Sequence, residues 1–168
     1  MRVISGNLKG KSLNFVKSPT TRPLKDSVKE NIFNILDHSN DFKIRVESSY
    51  VFDFYSGIGS FGIECISRGA RKVTFLETDK TALKILHQNL EKFSIHDRAE
   101  VINEKIENLK FADLKKKYQL LFFDPPYTDM DYILYLDLIR KKRIFDKKHL
   151  VVIHREKKSK DNLKDVIR

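Results

Sequence analysis

The stretch "YVFDFYSGIGSFGIECISRG", Tyr50 to Gly69, decides the fold. Its first residues form an apolar run that reads as a buried strand. "GSFGIECISRG" reads as the helix that follows, closing on Gly69. Between them Gly57, Gly59 and Gly62 stand in the spacing G-x-G-x-x-G. The spacing gains meaning from this strand–turn–helix context, because glycine permits a tight turn and lets backbone approach a ligand closely. On its own it also fits a glycine-rich turn that holds nothing.

Strands and helices alternate downstream. "KVTFLET" is a second strand, "KTALKILHQNLEKF" an amphipathic helix and "AEVIN" a third, short strand. "IENLKFADLKKK" is expected to be partly helical. "YQLLFFD" is the fourth strand, "MDYILYLDLIRKK" a helix and "KHLVVIHRE" the fifth strand. Such alternation argues an α/β fold: a doubly wound, mainly parallel, Rossmann-like sheet covered on both faces. Right-handed crossovers bring the strand ends to one edge, where ligands bind in such sheets.

Upstream, "RVISG" and "KSLNFV" alternate loosely around Gly6 and Gly10 and predict a small β-hairpin. "KSPTTRPLKD" is a loop. A helix over Asp26 to Asp37 carries Val28, Ile32, Ile35 and Leu36 as its apolar stripe. The 168 residues suit one domain, with 1–45 as an N-terminal extension and 46–168 as the core.

No apolar run approaches the roughly 18 residues of a membrane span, and the first residues do not read as a signal peptide. Cys65 is the one cysteine. It excludes an internal disulfide and a cysteine-rich zinc site and points to the reducing cytosol. His38, His87, His96, His149 and His154 lack metal-ligand spacing, so no metal is expected. The net charge of +10, from 33 basic and 23 acidic residues, favours a polyanionic partner, nucleic acid or an anionic membrane face. A solvated lysine-rich surface fits the same numbers.

Two acids bear on the ligand, and of these Asp53 narrows its class while Glu77 fits either cofactor. Asp53 stands four residues before Gly57, inside the strand end, where a negative charge repels pyrophosphate. It suits a ligand with a positive group, such as the amino-acid part of S-adenosylmethionine. Glu77 lies 20 residues after Gly57 and is placed to accept hydrogen bonds from ribose hydroxyls. Asp79 reads as a helix cap.

The fourth strand ends in "FFDPPY". Pro125 and Pro126 fix φ and donate no N–H, so their carbonyls are rigid acceptors. Asp124 and the Pro125 carbonyl together make a receptor for a planar amine, and Tyr127 supplies a stacking face. Two acceptors aim the amine's lone pair at a methyl donor, for direct in-line transfer driven by orientation and electrostatics.

These blocks, together with "RVISGNLKGKSL" and "TRPLKDSVKENIFNIL", resemble the bacterial 16S ribosomal RNA guanine-N2 methyltransferases, a family of the class I S-adenosylmethionine-dependent fold. The resemblance runs from Arg2 to about Glu156. It implies that Asp53, Gly57, Gly59, Gly62 and Glu77 bind S-adenosylmethionine. It implies that Asp124, Pro125, Pro126 and Tyr127 form the catalytic turn. Arg22, Pro23, Lys29, Glu30, Phe33 and Asn34 match the family's segment that closes over the site and helps bind RNA. Arg2, Lys9 and Lys11 match its RNA-contacting extension, although a solvated basic edge fits them too. Lys105 stands where family members carry an adenine-binding acid. Glu104 beside it is the candidate that replaces it, together with backbone groups.

Only "KKSKDNLKDVIR" follows Glu156. The sheet is therefore expected to lack the family's last strand pair, leaving the fifth strand as an edge shielded by Lys157, Lys158 and Lys160. The resemblance implies methyl transfer to the exocyclic N2 of a guanine in 16S rRNA by a cytoplasmic, monomeric enzyme acting on rRNA or the 30S particle. An amino-methyltransferase for DNA adenine or protein glutamine and a non-catalytic RNA-binding relative are the competing readings.

Overall fold

A computed structural model describes residues 1–15, 24–39, 44–126 and 128–156. Helix α1 spans Asp26–His38, and β1 spans Tyr50–Phe54. They are followed by α2 (Ser60–Ser67), β2 (Lys72–Leu76), α3 (Lys80–Lys92) and β3 (Ala99–Ile102). Then come β4 (Tyr118–Phe123), α4 (Tyr132–Lys142) and β5 (Phe145–Ile153). The stretch between β3 and β4 is a pair of short 3-10 turns, Ile106–Asn108 and Phe111–Asp113, where partial helix was expected.

The five strands are parallel in the order β3-β2-β1-β4-β5. The order reverses between β1 and β4, so this pair marks the switch point at which a crevice opens beyond the strand ends. The expected α/β, Rossmann-like, doubly wound sheet is the one observed. Central strands buried on both faces explain the unbroken apolar runs. Val51, Leu120 and Phe122 join α1, α2 and α3 in one core, and Phe52, Leu121 and Phe123 join α4 in the other.

On the first face an aromatic stack ties three elements together. Phe33 of α1 lies 5.2 Å from Phe61 of α2, and Phe61 lies 3.8 Å from Phe122 of β4. Each such buried ring contributes roughly 1.5–3 kcal/mol by leaving water.

The N-terminal segment closes as the small hairpin expected, with no regular strand in either arm: Arg2 bridges Ser12 antiparallel, the Val3 N–H donates to the Lys11 carbonyl at 2.9 Å, and the Leu13 N–H donates to the Met1 carbonyl at 3.2 Å. Its order comes from packing: Val3, Leu8 and Leu13 are buried in the α1/α2/α3 core. Gly6, at φ +80°, lies so close to α2 that a Cβ there would sit 1.9 Å from the Ser67 carbonyl oxygen.

Strand β5 begins earlier than its apolar run, because its register against β4 shifts. Tyr118 pairs with Phe145 but Leu120 pairs with Leu150, so β5 bulges between them. No neighbour strand lies beyond β5 among the described residues. Lys157, Lys158 and Lys160 lie outside them. Among the described residues, no helix is long and apolar enough to cross a membrane.

Candidate active site

Register builds the site. Phe54 pairs with Phe123, each the last residue of its strand. The turn that starts at Tyr55 and the turn that starts at Asp124 therefore leave the sheet side by side. Tyr55 enters its turn at φ +58°, a left-handed conformation that a tyrosine rarely adopts and that is common at functional turns. Burial, with Asp129 nearby, pushes its hydroxyl well above the ordinary tyrosine range.

The three glycines are required for different reasons. Gly57, at φ +54°, has open space where a Cβ would stand. At Gly62 a Cβ would meet the Phe75 ring at 2.2 Å, so that glycine serves close packing of α2 on β2. Gly59, at φ +83°, is limited both ways: a Cβ there would meet Leu86 at 2.4 Å.

Asp53 is 1% exposed. Its Oδ2 accepts the Gly62 N–H at 3.0 Å, so the carboxylate lies beneath the loop. At the end of β1 it sits under the start of α2, on the inner side of the loop that the sequence reading assigns to a ligand. Burial pushes its carboxyl well up, the Gly62 N–H opposes this, and the charges of Asp124 and Glu77 add to it.

Glu77, half-buried just past β2, accepts the Gly57 N–H on Oε2 at 2.7 Å. Its Oε1 accepts the N–H groups of Thr78 and Asp79. The expected acid thus stands at the loop and holds it. Asp79 caps α3 as expected, accepting the Ala82 N–H at 2.7 Å. Glu104 lies exposed after β3, where it accepts from Lys105 N–H and Asn108 Nδ2. Those bonds hold its carboxyl below the usual range.

On the other side of the crevice, Asp124 is partly exposed and follows directly on β4. Its Oδ1 meets His154 Nδ1 at 2.8 Å. Beyond β5, Arg155 donates from Nη1 to the Pro126 carbonyl at 2.9 Å and, at 3.5 Å, to that of Pro125. Its guanidinium also lies 4.7 Å over the Tyr132 ring. The sequence reading passed over both residues, since a scattered histidine and a C-terminal arginine have no spacing signal. The parallel pairing of β5 with β4 is what could have pointed to them. Tyr127 lies outside the described residues.

The basic residues split into two kinds. Arg2, Lys9 and Lys11 are exposed. Arg22 and Pro23 lie outside the described residues. Lys29 is fully buried, and this corrects its expected place on an RNA-facing surface. Its Nζ donates to the Arg2 carbonyl at 2.7 Å and to Ser60 Oγ at 3.3 Å, with Asp26 at 3.7 Å and Glu64 at 3.8 Å. Burial lowers its pKa, opposed by Glu64 and Asp26. The inner face of α1 is Lys29, Phe33 and Leu36, and Ile35 is exposed.

Glu64 was not singled out from the sequence, yet it organises this region. It is fully buried and accepts the Ile4 and Ser5 N–H groups at 2.7 and 2.9 Å and Arg68 Nε at 2.9 Å. Asn89 does similar work for the loop, donating from Nδ2 to the Ile58 and Asn14 carbonyls, both at 3.1 Å.

Residues 1–166 match the family described as conserved hypothetical protein 95. A candidate rRNA methyltransferase of Bacillus subtilis is 31% identical over 159 residues, 94% of this chain and 83% of that protein. Ribosomal RNA small subunit methyltransferase D of Buchnera aphidicola (from Acyrthosiphon pisum) is 31% identical over 156 residues, 93% of this chain and 78% of that one. A solved Haemophilus influenzae structure, described as a candidate methylase, is 30% identical, with a TM-score of 0.68. The match covers 94% of this chain and 82% of that one. With nearly its whole length matched, and with a glycine loop and an Asp-Pro-Pro turn side by side at the switch point, the chain belongs to the conserved hypothetical protein 95 family and is a methyltransferase.

Proposed function

We propose that this chain methylates the exocyclic N2 of a guanine in small-subunit ribosomal RNA, with S-adenosylmethionine as the donor. The observation that carries the reading is the Phe54–Phe123 register, which sets the Gly57–Gly62 loop beside Asp124 and two proline carbonyls. The site's residues suit that donor. The space over Gly57 is open, and Glu77 stands at the same loop for ribose hydroxyls.

When bound, S-adenosylmethionine supplies an electrophilic methyl: the nitrogen–carbon bond forms as the carbon–sulfur bond breaks, its electron pair staying on sulfur. The chain's own part is to hold the amine. Asp124 Oδ2 and the Pro125 carbonyl accept its two N–H groups, which fixes the direction of the nitrogen lone pair. The same carboxylate favours the positive charge that grows on nitrogen, and the surplus proton leaves through it to water. Tyr127 is assigned to stacking on the base. A base inside a duplex does not reach this crevice, so the target is unpaired or flipped out.

Arg2, Lys9 and Lys11, all exposed on the N-terminal segment, are assigned to the RNA backbone, with Arg22 beside them in sequence. The relatives named for small-subunit rRNA favour 16S rRNA, free or in the 30S particle, as substrate, and hence a cytoplasmic site of action. Adenine is assigned to the segment at Glu104.

The test is transfer of tritiated methyl to 16S rRNA and 30S particles from cells lacking the enzyme, followed by nucleoside analysis. N2-methylguanosine is expected. Label in N6-methyladenosine, or in protein glutamine, overturns the guanine assignment.

A further inference from the structure

Among the described residues, those just past β5 touch the end of β4 and the catalytic turn, and these contacts are not explained by the reaction as described so far. The His154 main-chain N–H donates to the Phe123 carbonyl at 2.8 Å, extending the β4–β5 pairing by one residue past Ile153. The His154 side chain reaches Asp124 Oδ1 at 2.8 Å. Arg155 Nη1 holds the Pro126 carbonyl at 2.9 Å. An ionised carboxylate offers only acceptors, so an imidazole paired with it holds its facing proton on Nδ1.

We propose that His154 is a positioning residue for the methyl transfer, acting through Asp124. The inference rests on the proposed amine-methylating reading of the site. A free carboxylate at a strand end rotates about its Cα–Cβ and Cβ–Cγ bonds. With Oδ1 tied to an imidazole whose own backbone is locked to Phe123, the plane of the carboxylate is set and Oδ2 is left for the substrate amine. Arg155 does the equivalent for the turn. Its shorter bond goes to the Pro126 carbonyl, which the amine does not use. The Pro125 carbonyl, at 3.5 Å, keeps a lone pair for the second N–H.

The choice of residue follows from geometry. A planar imidazole presents one directional N–H to the carboxylate, where the three rotating N–H groups of a lysine would fix no plane. The side chains of Asp124 and His154 are 21% and 24% exposed. The pair is thus near enough to water to pass on a proton, yet anchored on both sides by strand backbone. An ordinary surface pair lacks that anchoring and orders little.

The test uses the full chain and three variants. His154→Ala is expected to lower kcat for methyl transfer by ~10- to 100-fold, the scale of a misdirected reacting group. The KM for S-adenosylmethionine and the melting temperature should stay near wild type. His154→Asn places an amide N–H near the lost Nδ1 and should restore most of kcat; His154→Leu should not. Long-range proton–nitrogen NMR of the ligand-free protein should show His154 protonated on Nδ1. Unchanged kcat in His154→Ala, an Asn variant as impaired as Ala, or a lone Nε2 proton overturns the proposal. If the wild type methylates no guanine at all, the functional reading fails, and the NMR result alone then decides whether the brace exists.

Discussion

Two side-chain pairs divide this molecule's labour. Lys29 and Glu64 stand 3.8 Å apart with both side chains fully buried, behind the glycine loop. Asp124 and His154 stand 2.8 Å apart and partly exposed, at the mouth of the crevice. In the first pair the surrounding chain takes up the polar groups: Glu64 binds two amides and Arg68, and Lys29 binds a carbonyl and a hydroxyl. In the second, Asp124 still offers an oxygen to the crevice. Burial of a charge demands complete partnering, so a buried pair has nothing left for a substrate. A half-buried pair can hold its geometry and still react.

The largest effect expected from this contrast is on stability. Glu64→Ala leaves the Lys29 ammonium buried without its carboxylate partner on α2 and frees the amides of Ile4 and Ser5. Loss of one partner from a buried pair typically costs about 3–5 kcal/mol. Urea unfolding should show that loss, and early proteolysis within the first fifteen residues should accompany it. Adding Lys29→Met to Glu64→Ala should recover part of it, since an apolar replacement of both partners is often near neutral. If Glu64→Ala unfolds at the wild-type urea concentration, the pair is not what seats the N-terminal segment.

The outer pair should respond the opposite way. Asp124→Ala is expected to abolish methyl transfer while lowering stability by about 1 kcal/mol or less, the scale of a partly solvated pair. Calorimetric titration with S-adenosylmethionine should still show binding, because Glu77 and the glycine loop are untouched. Near-normal turnover in Asp124→Ala would remove that residue from the chemistry and with it the contrast between the pairs.

The same contrast explains what was legible in the sequence. The sheet was readable because its strands are continuous apolar runs that alternate with helices. The turn at Gly57 and the cap at Asp79 were readable because local turn chemistry fixes them. Lys29 was placed with the RNA by resemblance, and its neighbours Val28 and Ile32 give no sign of the Arg2 carbonyl, Ser60 and Glu64 that hold it inward. His154 was missed for a matching reason. Its partner lies 30 residues away, across a strand pairing whose register shifts between Tyr118 and Leu120. Contacts made through sheet register leave no spacing in the chain.

Asp53 sits between the two extremes, and its substitution tests the smallest effect. It is buried like Glu64 but lies at the crevice floor, and its charge is met by one N–H, that of Gly62. Burial raises its pKa in the folded protein, so the folded state keeps a proton that the unfolded chain gives up. The stabilisation is complete below the unfolded aspartate pKa, about 3.9. It is lost as pH rises through the raised folded value. Asp53→Asn keeps an oxygen for Gly62 and cannot ionise. The ligand-free variant should therefore match wild type near pH 4 and exceed it at pH 8, read as melting temperature across that range. If the charge also serves the donor's positive group, the same variant should bind S-adenosylmethionine more weakly at pH 8. Wild-type binding should then strengthen as pH rises. A variant no more stable than wild type at pH 8 would mean that Asp53 is held charged by partners beyond Gly62, and would move it to the side of Glu64 in the comparison.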